Sequence, residues 1–162
     1  MISLDQITFV ITTFKSEKII FDCINELPNV SPKIIIENSR NNILKNDLEN
    51  KFENLECFVM SENIGYGKAN NIGISKSKTN YIFIINPDTL FSKKNLNLFL
   101  SKIEKENFSI ASMTASSGIA VISSEPKLCA SITVSVEAAG ANLAAGVGPN
   151  SETSGVSAAA RI

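Results

Sequence analysis

Histidine is absent from this chain of 162 residues. Without an imidazole, the chain has no Ser-His-Asp or Cys-His catalytic group, no histidine metal ligand and no histidine that acts as an acid or base. Carboxylates, lysines, hydroxyl groups and backbone amides must therefore supply any chemistry that these residues perform.

Cysteine is also scarce, with three widely spaced residues, Cys23, Cys57 and Cys129. An odd number of cysteines without partner histidines fits neither a disulfide framework nor a zinc site. We expect the three thiols to be reduced and to serve as small core residues.

Charge of one sign and long hydrophobic runs are lacking as well. Fifteen Lys and Arg residues oppose sixteen Asp and Glu residues, a net charge of −1, so nucleic acid is not an expected partner. No apolar stretch approaches the roughly 18 residues that cross a bilayer, so no transmembrane segment is expected. The N-terminal segment "MISLDQITFV" lacks the basic region of a signal peptide, and we expect a cytoplasmic protein.

The composition of the chain changes near residue 111. Residues 1–110 contain one alanine and sixteen asparagines, whereas residues 111–162 contain twelve alanines, ten serines and two asparagines. Small side chains with few charges form a weak core. We therefore expect a folded domain at residues 1–112. The tail at residues 113–162 is expected to be partly disordered and to add at most one or two strands, with one strand near 107–123.

Within the first 110 residues, predicted strands and helices alternate. Four short apolar runs are typical of strands covered on both faces: "QITFVITTF" (6–14), "KIIIENS" (33–39), "ECFVM" (56–60) and "NYIFIIN" (80–86). Helical patterns lie between or after them, with predicted caps at Ser16 and Ser92 and weaker helices at 43–52 and 67–77. This alternation predicts an α/β fold, a doubly wound, mostly parallel sheet with flanking helices. In such a sheet, ligands bind beyond the carboxyl ends of the strands.

The segment "ENIGYGKANNIG" (62–73) follows the third predicted strand and is rich in glycine and asparagine. It is not a dinucleotide fingerprint, because Asn70 stands where the third glycine is needed. It is not a P-loop either, because Glu62 replaces the first glycine of that motif. Its free amides and Lys68 can face an anion where the loop opens a helix. The alternative is ordinary turn chemistry, with glycines forming the turn and asparagines lying on the helix surface.

The segment "INPDT" (85–89) places an aspartate directly beyond a buried strand. Magnesium commonly takes only one or two protein carboxylates, while phosphates and water supply its other ligands. Asp88 can thus hold Mg²⁺ or Mn²⁺ against a diphosphate. The alternative is a turn in which Asn86 and Asp88 bond to local amides. With the glycine-rich segment upstream, we favour the metal site.

The combined segment "NIGYGKANNIGISKSKTNYIFIINPDT" (63–89) resembles the glycine-asparagine loop and the metal motif of family 2 glycosyltransferases, especially their rhamnosyltransferase-like members. The segments "FVITTFKS" (9–16) and "KIIIENSRNN" (33–42) resemble the first and second strand motifs of that family. The likeness runs over about residues 6–112 in the right order. It implies a GT-A fold, a nucleotide-diphosphate sugar as donor, a glycan or lipid-linked acceptor, a divalent metal, and a role in cell-surface polysaccharide biosynthesis.

Carried over residue by residue, the resemblance implies a donor site at the strand ends. The residues implied to contact the nucleotide and its diphosphate are Thr12, Thr13, Phe14, Glu37, Asn63, Gly65, Gly67, Lys68, Asn71 and Asn86. Asn86 and Asp88 occupy the two acidic positions of the family's D-x-D motif, so Asp88 is the implied metal ligand. Glu37, where the family usually has aspartate, is implied to contact the base or ribose. The alternatives are a solvated acid for Glu37 and an exposed helix lysine for Lys68.

The second half of the family's pattern is missing. Inverting enzymes of this family place an acidic general base after the metal motif, where it deprotonates the acceptor hydroxyl. After residue 111 the acids are Glu125, Glu137 and Glu152, and aromatic side chains are absent. No catalytic residue is identified. Two hypotheses follow: a glycosyltransferase at the inner face of the membrane that acts with inversion, or a truncated, non-catalytic nucleotide-binding module. They differ in whether a tail glutamate reaches Asp88.

Overall fold

A computed structural model describes residues 2–90, 92–104, 110–113, 119–122 and 129–132. Its strands are β1 (Ile7–Thr13), β2 (Lys33–Glu37), β3 (Leu55–Val59), β4 (Tyr81–Ile85), β5 (Ile110–Met113), β6 (Ile119–Ile122) and β7 (Cys129–Ile132). Its α-helices are α1 (Ile20–Asn25), α2 (Asn42–Lys51), α3 (Tyr66–Lys76) and α4 (Lys93–Ile103). None of the helices in these ranges is long and apolar enough to span a bilayer.

The strands form one sheet in the order β3-β2-β1-β4-β7-β5-β6. Neighbouring strands are parallel except β5 and β6, which pair antiparallel. The chain runs outward from β1 through β2 to β3 and then crosses to the other side of β1 to form β4. Such a reversal of strand order opens a crevice beyond the carboxyl ends of the two central strands, β1 and β4. The predicted α/β class, with a mostly parallel sheet and flanking helices, is confirmed.

Both faces of β1, β2 and β4 carry buried side chains, which explains the apolar runs in these strands, whereas the edge strand β3 exposes Glu56. One face packs against α1, α2 and α4 around Phe9, Phe83 and Phe99. The ring centroids of Phe9 and Phe83 lie 5.5 Å apart, as do those of Phe83 and Phe99. The other face packs against α3 around Val10 and Ala69. Helices on both faces make the sheet doubly wound.

Gly73 sets the distance between α3 and the sheet. A Cβ atom at this position would lie 2.3 Å from Cγ1 of Val10 and 3.5 Å from Cγ1 of Ile36. The shorter distance is far below van der Waals contact, so any larger residue would push the helix away from β1. The last glycine of the glycine-rich segment is therefore a packing residue.

The two predicted helix caps have different outcomes. Ser92 caps α4, since its hydroxyl oxygen accepts a hydrogen bond from the Asn95 amide at 3.1 Å. The prediction of Ser16 as a cap is wrong. Its hydroxyl donates to the Phe14 carbonyl at 3.2 Å, and α1 begins at Ile20 without a side-chain cap. The hydroxyl closes the turn after β1 and is not available to the helix.

Beyond α4, the sequence predicted one strand near 107–123, whereas the structure has both β5 and β6 in that range. A further strand, β7, pairs with β4 on one side and with β5 on the other. It therefore lies inside the sheet although it comes last among the described elements. The predicted disorder of the tail falls largely on residues 133–162, which lie outside the described residues.

Candidate functional site

The carboxyl ends of β1 to β4 meet at one edge of the sheet because these strands are parallel. Ile11 of β1 pairs with Ile85 of β4, so the residues that follow them, Thr12 and Asn86, are neighbours across the crevice. Six of the predicted site residues lie at or shortly after strand ends: Thr12, Thr13, Phe14, Glu37, Asn86 and Asp88. The other five lie between β3 and the middle of α3: Asn63, Gly65, Gly67, Lys68 and Asn71.

Glu37 ends β2 with a fully buried side chain. One carboxylate oxygen accepts a hydrogen bond from the Thr13 hydroxyl, and the other accepts from the hydroxyl and the backbone amide of Ser39. A buried carboxylate is tolerated when its lone pairs are satisfied in this way. Glu37 is thus not a solvated acid, and its influence on any ligand passes through the positions of Thr13 and Ser39.

Asn38, buried directly after β2, holds the loop that follows β3. Its Nδ2 donates to Oδ1 of Asn63 at 3.0 Å, and its Oδ1 accepts from the Ile64 amide at 3.1 Å. Oδ1 of Asn63 also accepts from the Gly65 amide at 2.9 Å. The side-chain oxygen of Asn63 therefore shapes the loop, and the side-chain amides of Asn38 and Asn63 together fix where α3 begins.

Asn70 ties α3 to β1. Its side chain is buried, and its Oδ1 accepts a hydrogen bond from the Thr12 hydroxyl at 2.7 Å. The neighbouring Asn71 is exposed. The interpretation that both asparagines lie on the helix surface is wrong for Asn70, because consecutive helix residues point about 100° apart and only one of them can face the sheet.

The N-terminus of α3 is open at the edge of the sheet. Gly65 precedes it with φ of 80° and ψ of 160°, a conformation essentially limited to glycine. No side chain caps this helix, so its first backbone amides are available to an anion. Lys68 is exposed in the first turn, and a Cβ at Gly67 would meet no atom within 4 Å. The surface at the start of α3 is therefore open, and its free amides and Lys68 give it a positive potential.

The turn after β4 places Asp88 at the surface. The Asn86 carbonyl accepts from the Thr89 amide at 3.1 Å, which closes the turn, and the Asp88 side chain is exposed. Oδ1 of Asn86 accepts from the Tyr66 hydroxyl at 2.9 Å, a bond that joins the start of α3 to the end of β4. The Thr89 hydroxyl is buried and has no hydrogen-bond partner among the described residues.

Cys23 lies beneath this turn, with its thiol donating to the Asn86 carbonyl at 3.6 Å. Burial, with a smaller contribution from the charge of Asp88, raises the pKa of the Cys23 thiol to about 12. Burial likewise raises the pKa of Cys57 to about 12. Both are free, buried thiols, as predicted, and stay neutral at physiological pH. The side chain of Cys129 lies outside the described part of the chain.

Phe14, directly after β1, exposes 48% of its side chain at the same edge. The Nζ of Lys15 lies 5.4 Å from its ring centroid. An exposed aromatic ring next to a cation offers a flat surface on which a planar group can stack.

The described turn after β4 offers one carboxylate oxygen ligand to a hard divalent cation, that of Asp88. Within the described ranges, no three Cys, Asp or Glu side chains gather into a group that can hold a metal. Asp88 is an exposed single carboxylate two residues after Asn86, which is hydrogen-bonded to Tyr66 at the start of α3. Mg²⁺ and Mn²⁺ accept such a site when phosphate oxygens and water complete their coordination.

Sequence reasoning missed three residues that organise the site: Asn38, Tyr66 and Asn70. Asn38 had a signal, its position at the end of a buried strand. Tyr66 and Asn70 lie in the glycine-rich segment that the resemblance places by the nucleotide, but their own roles depend on which way α3 turns its first residues.

Comparisons with known proteins agree with this architecture. The model of glycosyl transferase family 2 matches residues 8–125. The crystal structure of S. aureus TarS 1-349 superposes with a TM-score of 0.55 at 16% identity, covering 69% of this chain and 37% of that chain. A crystal structure of S. aureus TarS gives a TM-score of 0.53 at 18% identity, covering 69% of this chain and 22% of that chain. No curated protein sequence matches significantly.

At these identities the likeness to the TarS structures concerns the fold alone, and it makes the α/β sheet GT-A-like. This chain spans 37% or less of the length of either TarS chain. The family model covers most of the chain, including all the predicted site residues. The chain therefore belongs to glycosyl transferase family 2.

Proposed function

We propose that the carboxyl edge of the sheet binds a nucleotide-diphosphate sugar with a divalent cation held by Asp88, for transfer of the sugar to a glycan or lipid-linked acceptor with inversion. The observation that carries this proposal is the pairing of an exposed carboxylate at Asp88 with the uncapped N-terminus of α3 at one sheet edge.

The base and ribose are assigned to the end of β1 and β2. The exposed ring of Phe14 offers a stacking surface, and the buried residues Thr12 and Thr13 precede it at the end of β1. The Thr13 hydroxyl is held by the buried carboxylate of Glu37, and the Thr12 hydroxyl is held by Asn70. These bonds fix the two threonine side chains before a ligand arrives, which reduces the entropy lost on binding.

The diphosphate is assigned to the start of α3. The amides after Gly65 are uncapped, Gly67 presents no side chain, and Lys68 adds an exposed positive charge. Asn71, one turn further, is exposed on the same helix. Backbone amides and an ammonium group both favour an anion at a helix N-terminus.

Asp88 is the residue that would hold the cation, with Mg²⁺ and Mn²⁺ as the candidates. When bound, the cation would offset the negative charge that grows on the departing diphosphate. Lys68 supplies the same kind of stabilisation from the helix side. Both residues are exposed at the edge where the donor is placed.

In the proposed transfer, an acceptor hydroxyl oxygen bonds to the anomeric carbon while the bond from that carbon to the diphosphate oxygen breaks. A base takes the hydroxyl proton, and the nucleoside diphosphate leaves. The acids after residue 111 are Glu125, Glu137 and Glu152, and all three lie outside the described residues. We assign the reaction to the cytoplasm, at the inner face of the membrane, in cell-surface polysaccharide biosynthesis.

Nucleotide binding without catalysis is the second candidate function. The scarcity of acids after residue 111 and the absence of aromatic side chains there favour it. Release of nucleoside diphosphate from a panel of donor sugars, with and without acceptors, separates the two. Metal-dependent binding without any release would support the binding module.

The substitution Asp88→Asn tests the metal role. The amide keeps the shape and turn-forming capacity of Asp88 but removes the charge, so metal-dependent nucleotide binding should be lost while the fold remains. Calorimetry with UDP, GDP and dTDP, with and without Mn²⁺, is the measurement. If the wild type gains no affinity from Mn²⁺, or Asp88→Asn binds as the wild type does, Asp88 is a turn residue.

A further inference from the structure

We infer that Asn86 is a hydrogen-bond donor to the donor diphosphate and not a ligand to the cation, and that Tyr66 fixes it in this role. The inference rests on the proposed function. It concerns the position where the family motif has its first acidic residue, which is neutral in this chain.

The Asn86 amide has two ends with opposite chemistry, and the structure occupies only one of them. Its Oδ1 accepts the Tyr66 hydroxyl proton at 2.9 Å. Its Nδ2 makes no hydrogen bond within the described residues, although the side chain is half-buried. The amino group is thus the end without a protein partner in the described residues, whereas Oδ1 already uses one of its two lone pairs. An amide nitrogen donates two hydrogen bonds and has no lone pair available to a cation.

Tyr66 is held firmly enough to impose this orientation. It is the first residue of α3, directly after Gly65, whose amide is bonded to Asn63. The same helix is tied to β1 by the bond between Thr12 and Asn70. The phenol therefore reaches Asn86 from a helix that is anchored at two points, and it donates its proton to Oδ1 of Asn86.

The orientation has a consequence for the order of binding. Because Asn86 is neutral, Asp88 is the single carboxylate of the turn, and the described residues contain no three-residue metal cluster. A lone exposed carboxylate holds a divalent cation weakly, so the diphosphate must supply most of the ligands. The cation should then bind together with the nucleotide, while the Asn86 amino group contributes to nucleotide binding with or without metal.

Asn86→Asp separates a donor from a ligand. The carboxylate removes the amino group and adds a charge beside Asp88, so metal-free affinity for the best-bound nucleotide among UDP, GDP and dTDP should fall at least about tenfold. Affinity for Mn²⁺ alone should rise by about tenfold or more, because two carboxylates replace one. Both constants are measured by titration calorimetry on the full chain.

Tyr66→Phe tests the positioning residue. Without the phenol, the amide rotates freely, and metal-free nucleotide affinity should fall about three- to tenfold, while affinity for Mn²⁺ alone should not fall. Tyr81→Phe is the matched control, since it removes the chain's other tyrosine hydroxyl at the opposite end of β4 and should alter neither constant.

Two results overturn the inference. One is unchanged metal-free nucleotide affinity in Asn86→Asp, and the other is weaker Mn²⁺ binding in Tyr66→Phe, which would mean that Tyr66 holds Oδ1 toward the cation. Failure of the proposed function looks different, because the wild type itself would then bind none of the three nucleotides with Mn²⁺.

Discussion

Gly67→Val should damage nucleotide binding without damaging the fold. Gly67 lies in the first turn of α3, and a Cβ placed there would meet no protein atom within 4 Å. A valine can therefore be accommodated by the free protein. If the donor diphosphate approaches the backbone of this turn, the new side chain occupies the ligand's space.

In Gly67→Val, the stability of the free protein and its affinity for nucleotide should change in opposite directions. Glycine costs about 1 kcal/mol in a helix and valine costs less, so the stability of the free protein should stay constant or rise slightly. Steric overlap with a bound diphosphate costs about 1–3 kcal/mol, which corresponds to a loss of affinity of about 5- to 150-fold.

Gly73→Ala is the matched contrast on the same helix. Its Cβ would lie 2.3 Å from Cγ1 of Val10 in the central strand, so the added methyl group should cost about 1–3 kcal/mol of stability. The thermal midpoint should fall by several degrees, while affinity in the folded fraction stays near that of the wild type.

The assay combines thermal unfolding of both variants with calorimetric titration of nucleotide and Mn²⁺. Full affinity in a stably folded Gly67→Val protein would refute the argument and return this turn to an ordinary role in chain reversal. A large loss of stability in Gly67→Val would show that a side chain at position 67 does contact the rest of the protein.

Three further predictions concern stability. Glu37→Gln should lower the free energy of unfolding by about 1–3 kcal/mol in urea, because the amino group of glutamine would face the hydrogen-bond donors of Thr13 or Ser39. Unchanged stability would show that the hydrogen bonds to the carboxylate do not stabilise the fold. Burial raises the pKa of the Cys57 thiol from 9.0 to about 12, so the stability that the buried neutral thiol contributes is complete below pH 9 and is lost between pH 9 and 12. In that range the free energy of unfolding of Cys57→Ala should fall less steeply with pH than that of the wild type, by about 1.4 kcal/mol per pH unit. Equal slopes in the two proteins would contradict this. Truncation after residue 125 removes β7 and its four-residue pairing with β4, so the thermal midpoint should fall by at least about 5 °C relative to truncation after residue 133; equal midpoints would mean that β7 contributes nothing.

The fold of the first 104 residues follows closely from local sequence. Each of the four apolar runs forms a parallel strand, and the weaker helix predictions at 43–52 and 67–77 correspond to α2 and α3, each beginning one residue earlier. Period and length suffice there because strands buried on both faces require unbroken apolar residues. The Ser16 cap failed because a serine after a strand can serve the turn instead of the helix, and both uses look alike in sequence.

The tail shows what composition leaves open. The described part of residues 113–162 has two strands, β6 and β7, within the one or two expected, but composition does not indicate that β7 lies between β4 and β5. A short strand with weak local preference is stabilised by backbone hydrogen bonds to neighbours that are distant in the chain, and composition does not report those neighbours.

The sequence by itself determined the family, the order of strands and helices in the first part, and the edge at which the candidate residues lie. Those properties depend on residue type and spacing along the chain. Tertiary structure alone decided that Glu37 is buried and bonded to Thr13, that Asn70 faces the sheet while Asn71 faces solvent, and that Tyr66 reaches Asn86. These contacts join residues brought together by the packing of α3 and the pairing of strands, so the geometry of the fold sets each side chain's partner.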